Sequence, residues 1–231
     1  MTSAFETFHD RDTAPAGHWP DDDRTLAVAV ARDGDTVVGS VALLDLGAED
    51  SALRIVALPD ATDDTWVPLM REAARVAREA GGTVLRWVAE TDGMPERAVA
   101  ELGATEGGEI YRWWRLTLPA ARTGPAGDAV RSLPAPDGAA FRLGLDGALF
   151  DVEVEGGTAV LAHDREEEGT AAGLTELLAA VLGKVSAEHP EAGEAEAYAD
   201  SRDDALVEAM RALGFTPTDR RAAEYHLALR P

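Results

Sequence analysis

The chain has 231 residues, 45% of them apolar, and its 43 acidic residues against 21 basic ones give a net charge of -22. That apolar share sustains a core, and the length suits one large domain or two small ones. The acidic field repels nucleic-acid phosphates and anionic membrane surfaces, and the absence of cysteine excludes disulfides, thiolate nucleophiles and thiolate metal sites.

The opening stretch MTSAFETFHDRDTAPAGHW holds no apolar run of the signal-peptide kind. No segment reaches the roughly eighteen apolar residues of a membrane span. A cytoplasmic, acidic protein is therefore expected. Residues 1–24 are polar, carry Pro15, Gly17 and Pro20, and end in Asp21-Asp22-Asp23; they read as a partly disordered lead-in arm. His9, Asp10 and His18 are metal-capable types, but their spacing matches no ligand pattern, so no metal is expected.

From Leu26 the pattern becomes regular. LAVAVA is a strand, Asp33-Gly34 a hairpin turn, TVVGSVALLDL a longer strand, and ALRIVAL a third. Asp60 to Thr65 supply helix caps, and Val67, Met70, Ala74 and Ala77 share one face of the helix that follows, which Gly81-Gly82 ends. TVLRWVAE is a buried strand, parallel to its predecessor because a crossover helix joins them. A second helix opens near Asp92 with Pro95 in its first turn and stops at Gly103, and EIYRWWRLTL closes this half. Four prolines and several glycines mark 119–138 as a linker.

The order then repeats. AFRLGL, ALFDVEVE and TAVLA are strands separated by Asp146-Gly147 and Gly156-Gly157. Leu174, Leu177, Leu178, Val181, Leu182 and Val185 line one face of a helix over 170–188. EAEAYA is a strand, and Ser201 with Asp204 resembles a capping box for a helix carrying Leu206, Val207, Met210 and Leu213 inward. AAEYHLAL closes the chain. Each half reads βββ-α-β-α-β, and AELGAT at 100–105 matches RALGFT at 211–216, as an internal duplication would.

A three-strand meander, a helix, a strand, a helix ending in Leu213-Gly214-Phe215 and a final strand with Tyr225 resembles the GNAT (GCN5-related N-acetyltransferase) family, here in tandem over nearly the whole chain. The resemblance implies an α/β fold with a mixed sheet in each unit. It divides the chain into an arm (1–24), an N-terminal structural domain (25–118), the linker and a C-terminal domain (139–231). Each copy is short of the family's opening strand and first two helices, save for what 1–24 or the linker supplies.

In that family the turn after the third meander strand binds the pyrophosphate of acetyl-CoA, through a motif of Arg or Gln, two residues, Gly, one residue, then Gly or Ala. Glu166-Glu167-Glu168-Gly169-Thr170-Ala171 keeps the small residues and replaces the opening one, whereas 59–65 of the first half has three aspartates and no glycine. The resemblance thus implies a co-substrate site at Ala162, Arg165, Gly169, Thr170, Ala171, Ala172 and Gly173. Small residues where a helix begins also suit close backbone approach to phosphate, and equally suit plain helix–sheet packing. The family's tyrosine that protonates the departing thiolate is replaced by Met210 and Val99.

Glu153, His163 and Tyr198 are the catalytic candidates, beside Glu155, Tyr225 and His226. Trp66, Trp87, Trp113 and Trp114 fall in the first half; Tyr111 and Trp113 share a strand face that could line an acceptor pocket or pack a core. The expected activity is acetyl transfer from acetyl-CoA to a small-molecule amine by direct attack on the thioester. Neither nucleic acid nor membrane is expected as partner, and a homodimer is allowed. The alternative is a non-catalytic GNAT-like module that binds a protein partner or small ligand; an acyl carrier protein as donor ranks third, since carriers are themselves acidic.

Overall fold

The structure is a computed structural model and describes residues 4–47, 50–56, 63–90, 96–118, 129–165 and 170–229. It contains two compact units, Met1–Gly108 with Ala222–Pro231, and Glu109–Arg221.

Unit 1 is built on strands β1 (Ala4–Phe8), β2 (Thr25–Asp33), β3 (Thr36–Asp45), β4 (Asp50–Val56) and β5 (Val84–Glu90), with helices α1 (Asp63–Glu79) and α2 (Glu96–Leu102). β1 to β4 pair antiparallel in sequence order, and β4 pairs β5 in parallel, as the crossover helix requires. Alternate residues of β2 and β3 (Ala29, Ala31, Val41, Leu43) bury against Trp66, Leu69, Met70, Ala73 and Ala77 of α1. The opening segment is ordered where the sequence suggests a loose arm. β1 pairs β2, and Phe8 and Trp19 pack on Val28, Val30 and Ala42, covering the sheet face opposite α1. Apolar burial there outweighs the polar composition of the arm. His18 Nδ1 lies 3.0 Å from the Oγ of buried Ser40, so the arm also satisfies a polar group it covers.

Unit 2 is built on β7 (Arg131–Leu133), β8 (Phe141–Leu145), β9 (Ala148–Glu155), β10 (Thr158–Arg165) and β11 (Glu194–Asp200), with helices α3 (Ala171–Glu188) and α4 (Asp204–Leu213). β7 to β10 are antiparallel neighbours and β10 pairs β11 in parallel. The β8–β9 hairpin turns on Asp146 (φ 48°) and Gly147 (φ 83°), the paired positive angles of a type I′ turn. Phe150, Val152, Ala159, Leu161, Ala195 and Ala197 face Leu174, Leu177, Leu178 and Val181 of α3 in a continuous core. β7 falls inside the stretch that composition marks as linker. The cap of α4 is Asp203, whose Oδ1 accepts from Leu206 N at 3.0 Å, while Ser201 Oγ donates to Glu109 O.

The two long strands β6 (Thr105–Thr117) and β12 (Thr216–Ala228) each belong to both units. In unit 1, residues 222–228 of β12 pair antiparallel with β5, and Tyr225 stacks on Trp87 with ring centroids 5.8 Å apart. In unit 2, residues 111–117 of β6 pair antiparallel with β11. The closing strand of each half therefore completes the unit founded by the other half. A division at 119–138 groups these strands the other way, because a strand's own alternation does not name its partner.

Candidate functional site

The parallel ladder of unit 2 is short. Four pairs join β10 to β11, from Thr158↔Glu194 to Leu161↔Ala197. Beyond them β10 runs on beside β9 (Ala162↔Asp151 to Arg165↔Ala148), and β11 runs on beside β6 (Tyr198↔Trp113 to Asp200↔Tyr111). Both strands stay extended on their outer sides while their facing edges release each other from Ala162 and Tyr198 onward. Backbone polar groups along the opening are thus left for another partner. Unit 1 has the same feature: β4 and β5 share three pairs, ending at Ala52↔Arg86.

Helix α3 begins at the open end, a few residues after β10 ends. Thr170 caps it, with φ -80° and ψ 150°, and its Oγ1 accepts from Gly173 N at 3.2 Å. A Cβ at Gly173 would stand 3.4 Å from that Oγ1, so the glycine gives the cap room. The amides of Ala171 and Ala172 have no acceptor within the helix, and the first turn has no acidic side chain. Glu166, Glu167, Glu168 and Gly169, and the side chain of Arg165, lie outside the described residues, as does the turn over 57–62.

The candidate catalytic residues divide between the two faces of the sheet. Glu153 and Tyr198 stand on the face away from α3, whereas His163 shares the helix-side face with Phe150, their rings 4.9 Å apart. Asp151, beside Glu153 in strand alternation, is held by Arg142 through contacts of 2.6 and 2.7 Å. That hydrogen-bonded carboxylate raises the Arg142 pKa above its ordinary value. Glu153 is exposed, opposite Val160. Glu155 stands opposite Thr158, at the closed end of the ladder. Tyr198 is the first β11 residue past the last pair, and its ring packs at 5.6 Å from Tyr111 and 5.5 Å from Trp113. The Arg220 guanidinium lies 4.1 Å over the Trp113 ring. Alternation along one strand pairs Tyr111 with Trp113 but gives no sign of Tyr198, which joins them only because β6 pairs β11.

Met210 is fully buried in the core, and Val99 packs against the core of unit 1, so neither position offers a proton donor. Trp66, Trp87 and Trp114 are core residues. Tyr225 is buried on Trp87, and His226 Nε2 lies 2.6 Å from Glu224 Oε2 in unit 1. Among the described residues no three His, Asp or Glu side chains cluster as metal ligands, and no helix is long and apolar enough to cross a membrane.

No family model and no curated protein matches this sequence. Solved structures resemble its fold. A tandem GNAT protein from the clavulanic acid biosynthesis pathway, solved without AcCoA, superposes with a TM-score of 0.59 at 19% identity, over 95% of this chain and 91% of that one. A conserved Enterococcus faecalis protein of unknown function, suggested to be an N-acyltransferase, gives 0.53 at 7% identity over 99% and 73%. A GCN5-related N-acetyltransferase from Kribbella flavida gives 0.51 at 13% identity over 87% and 60%. The chain has the tandem GNAT fold, with a mixed α/β architecture in each unit.

Proposed function

We propose that the protein is an acyl-CoA-dependent N-acetyltransferase acting on a small amine, with its donor site in unit 2. The observation that carries this is the opened β10–β11 ladder with the capped start of α3 at its mouth. The opening admits an extended pantetheine arm alongside released backbone groups. The Ala171 and Ala172 amides are oriented to donate to pyrophosphate oxygens, aided by the helix dipole. Small side chains at Ala171, Ala172 and Gly173 allow that approach, and the sequence motif assigns Gly169, Thr170 and Arg165 to the same site.

Glu153 is the base we assign on the open face: it takes the ammonium proton, directly or through water, and frees the amine lone pair. The amine nitrogen then bonds to the thioester carbonyl carbon, and backbone amides near Ala162 stabilise the oxyanion. The carbon–sulfur bond breaks as the tetrahedral centre collapses; the Tyr198 hydroxyl, carried where the ladder opens, protonates the thiolate and is reprotonated, directly or through water, by the proton that the new amide nitrogen sheds. His163 lies on the other face and serves packing on Phe150.

The buried Met210 at the family's tyrosine position favours a second reading, a ligand-binding module without turnover. Calorimetric titration with acetyl-CoA separates the two when paired with Ala171→Pro. Proline at the first helical position removes one amide donor and suits Thr170's extended backbone, so the fold is kept. Micromolar binding, weakened about tenfold in the variant, supports the site. Binding without acetyl transfer to any amine supports the second reading, and no binding at millimolar acetyl-CoA sinks the first.

A further inference from the structure

The duplication lets one unit act as the structural control for the other. Counting from the first parallel pair, Tyr198 of β11 corresponds to Val88 of β5, and their cross-strand neighbours are Trp113 and Glu224. Tyr111 likewise corresponds to Ala222, and Glu153, opposite the third paired residue of β10, to Leu44. The fold closes in unit 1 without a ring at the places of Tyr198, Trp113 and Tyr111, and without a carboxylate at that of Glu153. The aromatic trio and the carboxylate of unit 2 are therefore not demanded by the sheet. Unit 1 also covers this face of β2 and β3 with Phe8 and Trp19, whereas in unit 2 Tyr198 remains 37% exposed.

What the face offers is specific. Trp113 is fixed, with Arg220 over its ring and Tyr198 tilted against it at 56°. Tyr198 is also tilted at 53° to Tyr111, and it is the most exposed ring of the three. Beside it the floor is low, made of half-buried Val160 and the small side chain of exposed Ala162. Across that floor stands Glu153, which makes no ion pair among the described residues, while its neighbours Asp151 and Glu196 are engaged by Arg142 and Arg115. Strand spacing and rise put the Cα atoms of Glu153 and Tyr198 roughly 12 Å apart, room for a flat ring and a short alkyl arm between the two side chains.

We infer that the acceptor is a primary amine carrying an aromatic ring on a short arm, its ring packed against Tyr198 and its ammonium directed to Glu153. This rests on the acetyltransferase reading for turnover, and on the open face alone for binding. Ring–ring contact supplies selection beyond apolar area, and the carboxylate in a protein of net charge -22 selects the cation. An aliphatic amine would satisfy Glu153 and leave the rings unused. An acidic acceptor would meet repulsion.

The test compares 2-phenylethylamine with 2-cyclohexylethylamine, which share the amine and the arm and differ in the π-system. Binding to the full chain is measured calorimetrically without acetyl-CoA, and acetyl transfer with it. The expected result is at least tenfold tighter binding and higher kcat/KM for the aromatic amine. Tyr198→Phe should keep the binding preference, Tyr198→Leu should remove it, and Glu153→Gln should weaken both amines. Equal binding of the two amines by the wild-type chain overturns the inference whatever the variants do. Acetylation of both amines at equal rates overturns it while leaving the acetyltransferase reading intact. Selective binding of the aromatic amine with no acetyl-CoA binding upholds the aromatic site and removes the acetyltransferase reading instead.

Discussion

Thr7 Oγ1 donates a 2.6 Å hydrogen bond to Glu72 Oε1, tying the first strand of the chain to helix α1. Glu72 also accepts from Arg75, at 2.6 and 3.0 Å. The Arg75 bond, with help from Thr7 and against some burial, lowers the carboxyl pKa from 4.5 to about 2. A depressed carboxyl stabilises the fold above its ordinary pKa and loses that contribution as pH falls towards the folded value. Urea titrations of wild type and Glu72→Gln should therefore differ by about 1 kcal/mol at pH 7, solvent screening included. The gap should narrow as pH drops from 4.5 towards 2. A constant gap across that range would refute the assignment.

Gly39 lies under the start of α1, where an added Cβ would stand 2.9 Å from Thr65 Cγ2 and 3.1 Å from Leu69 Cδ1. Thr65 is buried and its β-branched side chain is stiff, so the helix must lift. Gly39→Ala is expected to cost about 1–2 kcal/mol in urea midpoint measurements. Gly108→Ala, which meets nothing within 4 Å, should change stability by less than about 0.5 kcal/mol.

Asp203→Ala should destabilise unit 2 by about 1 kcal/mol, since it removes the acceptor for Leu206 N at the start of α4. Asp203→Asn should recover most of the loss, because an amide oxygen accepts the same bond. If the two variants were equally destabilised, charge rather than capping would be responsible.

Tyr225→Ala should cost about 3–5 kcal/mol, as for other large buried aromatics. Its effect should appear in unit 1, because Tyr225 stacks on Trp87 there. Hydrogen exchange should quicken in β2, β3 and β5 well before α3. The reverse pattern would mean that residues 222–228 serve unit 2.

Local periodicity makes most elements readable before any coordinates. The spacing of Leu174, Leu177, Leu178 and Val181 predicts a helix over 170–188, and α3 occupies Ala171–Glu188. Parallel pairing of TVLRWVAE with its predecessor follows from the crossover helix and is found, and EAEAYA pairs with its own predecessor in the same way. β6 and β12 run longer than expected, because Gly107, Gly108, Pro217 and Asp219 are poor strand residues. Gly107 has a local reason: a Cβ there would approach Glu224 O to 3.3 Å. The exchange of closing strands is invisible to any one-strand reading. With it hidden, so is the meeting of Tyr198 with Tyr111 and Trp113, the part of the candidate site that sets it apart from its duplicate.

The membership of residues 222–228 in unit 1 also fixes a schedule for synthesis. When Glu90 has left the ribosome, the outer edge of β5 has no partner, and its partner is more than a hundred residues from being translated. At bacterial-to-eukaryotic elongation rates that wait is on the order of ten seconds. Throughout it, an exposed strand edge invites pairing with another nascent chain. Unit 2, begun later, holds all of its own strands by Arg221 and can close first. The core of unit 1 is thus finished only after all of unit 2 has been made, and a chain stopped at Arg221 forfeits its beginning rather than its most recent part.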